Sequence, residues 1–293
     1  MQGIIVENIS NLYKIKINNE IYEAIARGKL KNNEIIPVVG DIVEVEILNK
    51  EEKKAIIEEI KERKVYIKRP KLANITQIIF VVSSKDPKPD LLMLDKQLAF
   101  AEFLKINSVI VLNKTDLDKK EEFKEINKTY EKIGYKVILT DAKKKQGIEE
   151  LKAEMKNNIN AFSGNSGVGK STLINGIFDR DMTEEGEISK RNKRGKNTTT
   201  SIKLYEIDDN TYIADTPGFS TFDISEIKSK DLEKYFKEFK ENIINCEFVG
   251  CTHIKEENCG IKKAIEEGKI DISRYNRFCK IYKELKEREE RRW

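Results

Sequence analysis

The feature that most constrains this chain is a glycine-rich motif in the middle of the sequence. Residues 164–171 match G-x-x-x-x-G-K-[ST] at every fixed position, with an apolar segment before them and a helical pattern at 172–178 after them. This strand–loop–helix context is the one that the motif requires, because backbone N–H groups and a helix N-terminus then surround the phosphates. The predicted nucleotide contacts are Gly164, Asn165, Ser166, Gly167, Val168, Gly169, Lys170, Ser171 and Thr172. Lys170 is expected to reach the β- and γ-phosphates, and the Ser171 hydroxyl to hold Mg²⁺.

A second motif predicts which nucleotide base the chain binds. Asn113-Lys114-Thr115-Asp116 fits N-K-x-D and directly follows the apolar segment 109–112. The Asp116 carboxylate can accept two hydrogen bonds from guanine, whereas adenine offers no matching pair of donors. Lys114 can lie along the base, and Asn113 can tie this loop to the phosphate loop. Residues 140–143 follow another predicted strand, and there Ala142 is expected to offer its backbone N–H to guanine O6.

Two further segments resemble nucleotide switches. Residues 215–218 fit D-x-x-G, so Asp215 is expected to bind Mg²⁺ through water and the Gly218 N–H to contact the γ-phosphate. Residues 198–200 are all threonine, and spacing does not decide which one closes on Mg²⁺; Thr199 is favoured. The predicted catalytic set is Lys170, Ser171, Thr199, Asp215 and Gly218, of which Ser171, Thr199 and Asp215 form the predicted magnesium set.

The order of these motifs is unusual. The guanine motif comes first, followed by the phosphate loop, the threonines and D-x-x-G, whereas ordinary GTPases place the guanine motif last. The permuted order is tolerable because all of these loops leave the carboxyl edge of one sheet. The D-x-x-G switch then leads directly into the C-terminal segment, where loss of the γ-phosphate could be transmitted.

The four cysteines all lie in the last fifth of the chain. Cys246, Cys251, His253 and Cys259 give C-x₄-C-x-H-x₅-C, and His253 is the only histidine. Three thiolates and one imidazole suit a closed tetrahedral Zn²⁺ site that would supply folding free energy. The alternative is a set of unligated core cysteines with a surface histidine. Cys279 lies outside this spacing and is expected to be a plain buried residue.

Periodicity divides the chain into three predicted domains, 1–69, 70–222 and 223–293. The first has five alternating segments and no convincing helix, which favours an OB-like barrel. The second alternates apolar segments with helices at 91–104, 121–133 and 148–157, which favours a doubly wound, mostly parallel sheet. The third is mostly helical, at 230–239, 261–267 and 274–292. The predicted strands of the barrel are 4–9, 12–17, 21–26, 42–48 and 55–60.

Net charge and hydropathy indicate which classes of binding partner suit this chain. The net charge of +4 is compatible with nucleic acid without demonstrating it. Two basic groups are RNA-binding candidates, although each also suits a solvated loop: Arg27, Lys29 and Lys31 in the barrel, and Lys190, Arg191, Lys193, Arg194 and Lys196 before the threonines. No apolar run approaches the roughly 20 residues that span a bilayer, and the N-terminus lacks the pattern of a signal peptide. We therefore expect a cytoplasmic protein without a membrane partner. We also expect it to be a monomer.

Taken together, the chain resembles the ribosome small-subunit-dependent GTPase A family (RsgA, also called YjeQ or YloQ). The resemblance rests on the motifs above together with Arg27-Gly28-Lys29, Pro37-x-x-Gly40-Asp41, Arg69-Pro70, Ala73-Asn74 and Gly186-x-Ile188-Ser189. It implies an OB barrel, a circularly permuted GTPase domain and a C-terminal zinc domain. It also implies rRNA binding, a role in late maturation of the small ribosomal subunit, and GTP hydrolysis that the subunit stimulates.

Two positions depart from the expected pattern. Asn197 stands where the family usually has a histidine, and Phe219 stands where Ras-like proteins have a water-orienting glutamine. Slow intrinsic hydrolysis is therefore expected. Two alternatives remain open: an RNA-binding assembly module that binds GTP without significant turnover, and a permuted GTPase that acts on another RNA or protein partner.

Overall fold

The computed structural model describes residues 1–28, 36–119, 121–179, 202–215 and 224–291. The strands are β1 Gln2–Ile9, β2 Leu12–Ile17, β3 Glu20–Ala26, β4 Ile42–Asn49, β5 Lys54–Ile60, β6 Tyr66–Lys68, β7 Lys71–Ala73, β8 Gln77–Ser83, β9 Asn107–Asn113, β10 Lys136–Thr140, β11 Ile159–Ser163, β12 Lys203–Asp208 and β13 Thr211–Asp215. The α-helices are α1 Leu91–Leu104, α2 Glu122–Ile133, α3 Ile148–Met155, α4 Lys170–Phe178, α5 Gly260–Glu266 and α6 Ile272–Glu290.

The chain separates into two compact units. The first contains residues 1–79, 148–163 and 170–219, and the second contains residues 80–147, 164–169 and 220–293. β8 and the phosphate loop each run from one unit into the other along the chain.

The first unit begins with a closed five-stranded barrel. β1 pairs with β2, β2 with β3, β3 with β5, β5 with β4, and β4 closes the ring on β1. The alternating pattern predicted these strands, since Ile5, Ile15 and Ile57 point into the barrel and are fully buried. The expected barrel is confirmed. The short hairpin β6–β7 was not predicted, because three-residue strands are too short to show alternation.

The same unit contains the strands that flank the phosphate loop. β11 is parallel to β13, with Ala161 opposite Ala214, whereas β12 is antiparallel to β13. β12 also pairs with β1 through Lys203 and Glu7, so the sheet of this unit continues into the barrel wall. Parallel strands end at the same edge of a sheet, so the carboxyl ends of β11 and β13 lie together.

The second unit combines parallel strands with helices and a C-terminal aromatic core. β9 and β10 are parallel, with Asn113 opposite Thr140 at their carboxyl ends. The Phe278 ring of α6 lies 5.0 Å from that of Phe236 and 4.7 Å from that of Phe239. Residues of α1 belong to the same buried cluster, so this core joins α1 to the C-terminal segment.

One predicted helix takes a different form. Residues 230–239 were expected to be α-helical, but they form two short 3₁₀ helices, Ser229–Tyr235 and Lys237–Phe239. Phe236 lies between them with extended backbone angles, φ −109° and ψ 99°. Its ring is 1% exposed and packs edge-on against Phe278. Tertiary packing of Phe236 therefore overrides the local helical pattern.

Candidate nucleotide and metal sites

Glycines allow the phosphate loop to approach its neighbours in the second unit. Gly164 has φ +144° and Gly169 has φ +99°. A Cβ atom at Gly164 would lie 2.3 Å from the Val81 carbonyl oxygen, and one at Gly169 would lie 2.3 Å from Asn113 Nδ2. Both positions therefore require glycine for conformation and for space. Val168 is buried between them, while Ser166 and Gly167 are exposed and Asn165 is half-buried.

Asn113 joins three loops at the end of β9. Its Nδ2 donates to the Val168 carbonyl at 2.9 Å, which ties the guanine motif to the phosphate loop. Its Oδ1 accepts hydrogen bonds from Thr140 Oγ1 at 2.9 Å and from the Ala142 N–H at 3.2 Å. The side chain is 1% exposed, so these bonds are shielded from water. The Ala142 N–H that was expected to face guanine O6 donates to Asn113 in this arrangement.

The rest of the guanine motif lies on a tight turn. Lys114 has left-handed backbone angles, and its carbonyl accepts a 2.7 Å hydrogen bond from Ser84 Oγ. The Lys114 ammonium donates to the Asp86 carbonyl, so the loop after β8 supports this lysine. Asp116 follows on an exposed 3₁₀ turn, and Thr115 Oγ1 donates to the Thr140 carbonyl at 3.3 Å. Sequence reasoning missed Ser84 and Asp86, because no recognised motif includes them.

The remaining described phosphate-binding candidates belong to the first unit. Lys170 is the first residue of α4, and burial lowers the pKa of its ammonium. Anionic phosphates would offset this desolvation. Ser171 and Thr172 follow in the first helical turn and are exposed, and Asp215 ends β13 half-buried. The hydroxyl of Ser171 and the carboxylate of Asp215 are the hard oxygen donors that Mg²⁺ takes, so these two residues fit that ion chemically.

Several predicted site residues lie outside the described part of the chain. They are Lys29, Lys31, Lys190, Arg191, Lys193, Arg194, Lys196, Thr199 and Gly218, together with Asn197 and Phe219. Arg27 is described: it is exposed, directly follows β3 and pairs with Glu58.

The four predicted zinc ligands come together in the second unit. One donor atom from each of Cys246, Cys251, His253 and Cys259 lies within 4.8 Å of the others. His253 Nδ1 is 3.6 Å from Cys246 Sγ and 3.3 Å from Cys259 Sγ. Around tetrahedral zinc, sulfur and nitrogen ligands are separated by about 3.5 Å. The geometry and the donor set both fit Zn²⁺, and Cys279 does not belong to this group.

The surroundings of these thiols explain why a metal would matter for folding. Burial raises the pKa of Cys251 to about 12, although a backbone hydrogen bond from His253 lowers this pKa by a smaller amount. Burial also raises the pKa of Cys259. The Gly260 N–H donates to Cys246 Sγ at 3.3 Å, a contact that suits a thiolate. A bound cation would offset the cost of ionising these buried thiols.

The parallel strands, the glycine-lined phosphate loop and the guanine loop bonded to it define a P-loop GTPase whose guanine motif precedes its phosphate loop. This order makes it a circularly permuted GTPase. The chain belongs to the RsgA family: the RsgA GTPase domain model matches residues 60–225, and the RsgA N-terminal domain model matches residues 2–57. Guanine-nucleotide binding and GTP hydrolysis follow from this membership.

Named relatives cover essentially the whole chain. It is 41% identical over 293 residues to the small ribosomal subunit biogenesis GTPase RsgA of Caldanaerobacter subterraneus subsp. tengcongensis, covering 100% of this chain and 98% of the relative. It is 40% identical to the Clostridium botulinum (strain Hall) protein of the same name, covering 100% of both.

Two solved structures share the fold. The crystal structure of YjeQ from Thermotoga maritima superposes with a TM-score of 0.84 at 35% identity, covering 97% of this chain and 98% of that one. That of YloQ, described as a circularly permuted GTPase, has a TM-score of 0.82 at 27% identity, covering 98% and 95%. Separately, none of the helices in the described residues is long and apolar enough to cross a bilayer.

Proposed function

We propose that this chain hydrolyses GTP during biogenesis of the small ribosomal subunit, which it binds through rRNA. The GTP-binding part of this proposal rests on one observation. The Asn113 side chain forms hydrogen bonds that connect the guanine motif to the phosphate loop and to the loop at residues 140–142. The subunit part is supported by relatives named for small-subunit biogenesis that match the full chain. We keep three domains in this proposal: 1–69 for RNA, 70–222 for GTP and 223–293 for zinc.

Each nucleotide-site residue has a role in this proposal. Asp116 selects guanine, Lys170 binds the β- and γ-phosphates, and the Gly218 N–H contacts the γ-phosphate. Ser171, Thr199 and Asp215 would hold Mg²⁺, which supplies charge neutralisation at the transferred phosphoryl group. A water molecule attacks the γ-phosphorus, so GDP and inorganic phosphate are the products. We place this activity in the cytoplasm and in a monomer.

Turnover measurements test the proposal directly. GTP hydrolysis is measured alone and with purified small subunits, large subunits or free rRNA. Small subunits are expected to raise turnover well above large subunits, and Lys170→Ala is expected to abolish the increase. Equal turnover in all four conditions would refute the coupling to the small subunit. GTP binding without turnover in any of them would instead indicate an RNA-binding assembly module.

Zinc is tested by metal analysis. About one Zn²⁺ per chain is expected, since four ligands fill one tetrahedron. Cys251→Ser is expected to lower the zinc content and loosen the C-terminal segment, whereas Cys279→Ser is expected to do neither. Equal loss of zinc from both variants would contradict the ligand set.

A further inference from the structure

We propose that Glu233 is the residue that positions the zinc ligand His253, a role that rests on the zinc site proposed above. His253 Nε2 lies 2.6 Å from Glu233 Oε2, while Nδ1 faces the sulfurs of Cys246 and Cys259. The two ring nitrogens therefore have separate partners. The Nε2–H donates to the carboxylate, which leaves the Nδ1 lone pair for the metal. Such a pair sets the tautomer and ring orientation of the histidine and makes it a stronger ligand.

The surroundings of His253 make this hydrogen bond hard to replace. The residue is 1% exposed, so solvent does not reach the ring freely. The Phe239 ring stands nearly perpendicular to the imidazole with centroids 5.7 Å apart, and Tyr275 Oη donates to the His253 carbonyl at 2.7 Å. The His253 carbonyl is already bonded and its ring is packed against Phe239, so loss of the Glu233 carboxylate would leave a buried N–H without its acceptor. An unsatisfied buried N–H costs free energy whenever His253 is held in its position as a zinc ligand.

Glu233 is not part of the cysteine pattern. It lies 20 residues before His253, on the 3₁₀ helix Ser229–Tyr235. A second carboxylate nearby, Glu238, serves as a matched comparison, because it accepts from Arg274 Nε and not from a metal ligand. The two glutamates are both largely buried, with side chains 19% and 7% exposed. Their contacts differ, so their removal should have different consequences.

The experiment measures zinc affinity of the full chain by competition with a chelator, using Zn²⁺ alone as the probe. Glu233→Ala is expected to weaken zinc binding by about 10–100-fold. Glu233→Gln should weaken it less, because an amide oxygen still accepts from Nε2–H but carries no charge. Glu238→Gln is expected to lower the midpoint of unfolding, because it weakens the pair with Arg274, and to have little effect on the zinc affinity. Substituted Co²⁺ gives a second readout, since its visible spectrum should change in Glu233→Ala but not in Glu238→Gln.

The outcomes separate this role from the zinc site itself. An unmutated protein without zinc would refute the site and, with it, the role of Glu233. Loss of zinc from Cys259→Ser, with unchanged zinc affinity and an unchanged cobalt spectrum in Glu233→Ala, would overturn the positioning role alone.

Discussion

Single residues at the nucleotide loops show how closely their shapes depend on one another. Asn113 fills the space beside Gly169, and its amide holds the Val168 carbonyl at 2.9 Å. The same side chain bonds Thr140 and Ala142, so three loops share one small polar group. A change of one atom at this point is expected to disturb phosphate binding and base recognition together, because buried hydrogen-bond networks tolerate few alternatives.

Gly169→Ala is expected to weaken GTP binding by about 10–100-fold. Its Cβ would lie 2.3 Å from Asn113 Nδ2 on a backbone with φ +99°, and strain at such a position costs about 1–3 kcal/mol. Gly176→Ala is the control, since its nearest neighbour, Ile148 Cδ1, is 3.4 Å away on a side chain. Nucleotide titration checks both. Equal affinities in the two variants would show that the Gly169 contact is unimportant.

Asp116→Asn is expected to weaken GTP binding and to favour binding of xanthosine triphosphate, whose 2-oxo group suits an amide donor. The carboxylate is exposed on its turn after β9 and so is accessible to a base. Competition between the two nucleotides measures the change. A GTP affinity equal to that of the unmutated protein would remove Asp116 from the base site.

Between elements, a buried charge cluster joins α1 to α6. Asp95 of α1 accepts from Arg274 and Arg277 of α6 and, at 2.6 Å, from Tyr130 Oη of α2. Glu238 also accepts from Arg274, which is 1% exposed. Nearby charges raise the pKa of Arg274 against the opposing effect of burial, so the guanidinium stays charged. The C-terminal segment is therefore attached to the GTPase helices of this unit by paired charges as well as by aromatic packing.

Asp95→Asn is expected to lower the free energy of unfolding by about 3 kcal/mol, because it leaves two arginines short of a buried counter-charge. Glu284→Gln is the matched control, because it removes the Lys96–Glu284 ion pair between the same two helices. The side chains of Lys96 and Glu284 are 26% and 41% exposed. Such a partly exposed pair contributes at most about 1 kcal/mol. Urea unfolding compares the two variants, and similar midpoints would argue against a special role for the buried cluster.

At the scale of the whole molecule, the barrel wall and the nucleotide strands share one sheet within the first unit. β1 pairs with β12, and Lys16 of the barrel pairs with Glu206 of β12. β12 follows directly after the threonine and basic segments in the chain. Along the chain, the basic segment (residues 190–196), which we propose contacts RNA, therefore leads into a strand that pairs with the barrel.

The basic segment carries the corresponding prediction. Arg191→Ala combined with Arg194→Ala is expected to lower the ratio of subunit-stimulated to unstimulated GTP turnover. Each lost phosphate contact should also reduce the salt slope of subunit binding by roughly 0.7–0.9. Turnover and binding are measured across a salt series. A ratio and a slope that both match the unmutated protein would identify the segment as a solvated loop.

The sequence alone determined the permuted motif order, the barrel strands and the cysteine–histidine group, because each depends on residues close together in the chain or on regular alternation. Three features became visible in the folded chain alone: Asn113 joins three loops, two short 3₁₀ helices flank Phe236, and Glu233 contacts His253. Asp95 and Arg274 are 179 positions apart, and neither lies in a recognisable pattern. Such contacts depend on packing between distant segments, which local periodicity does not encode.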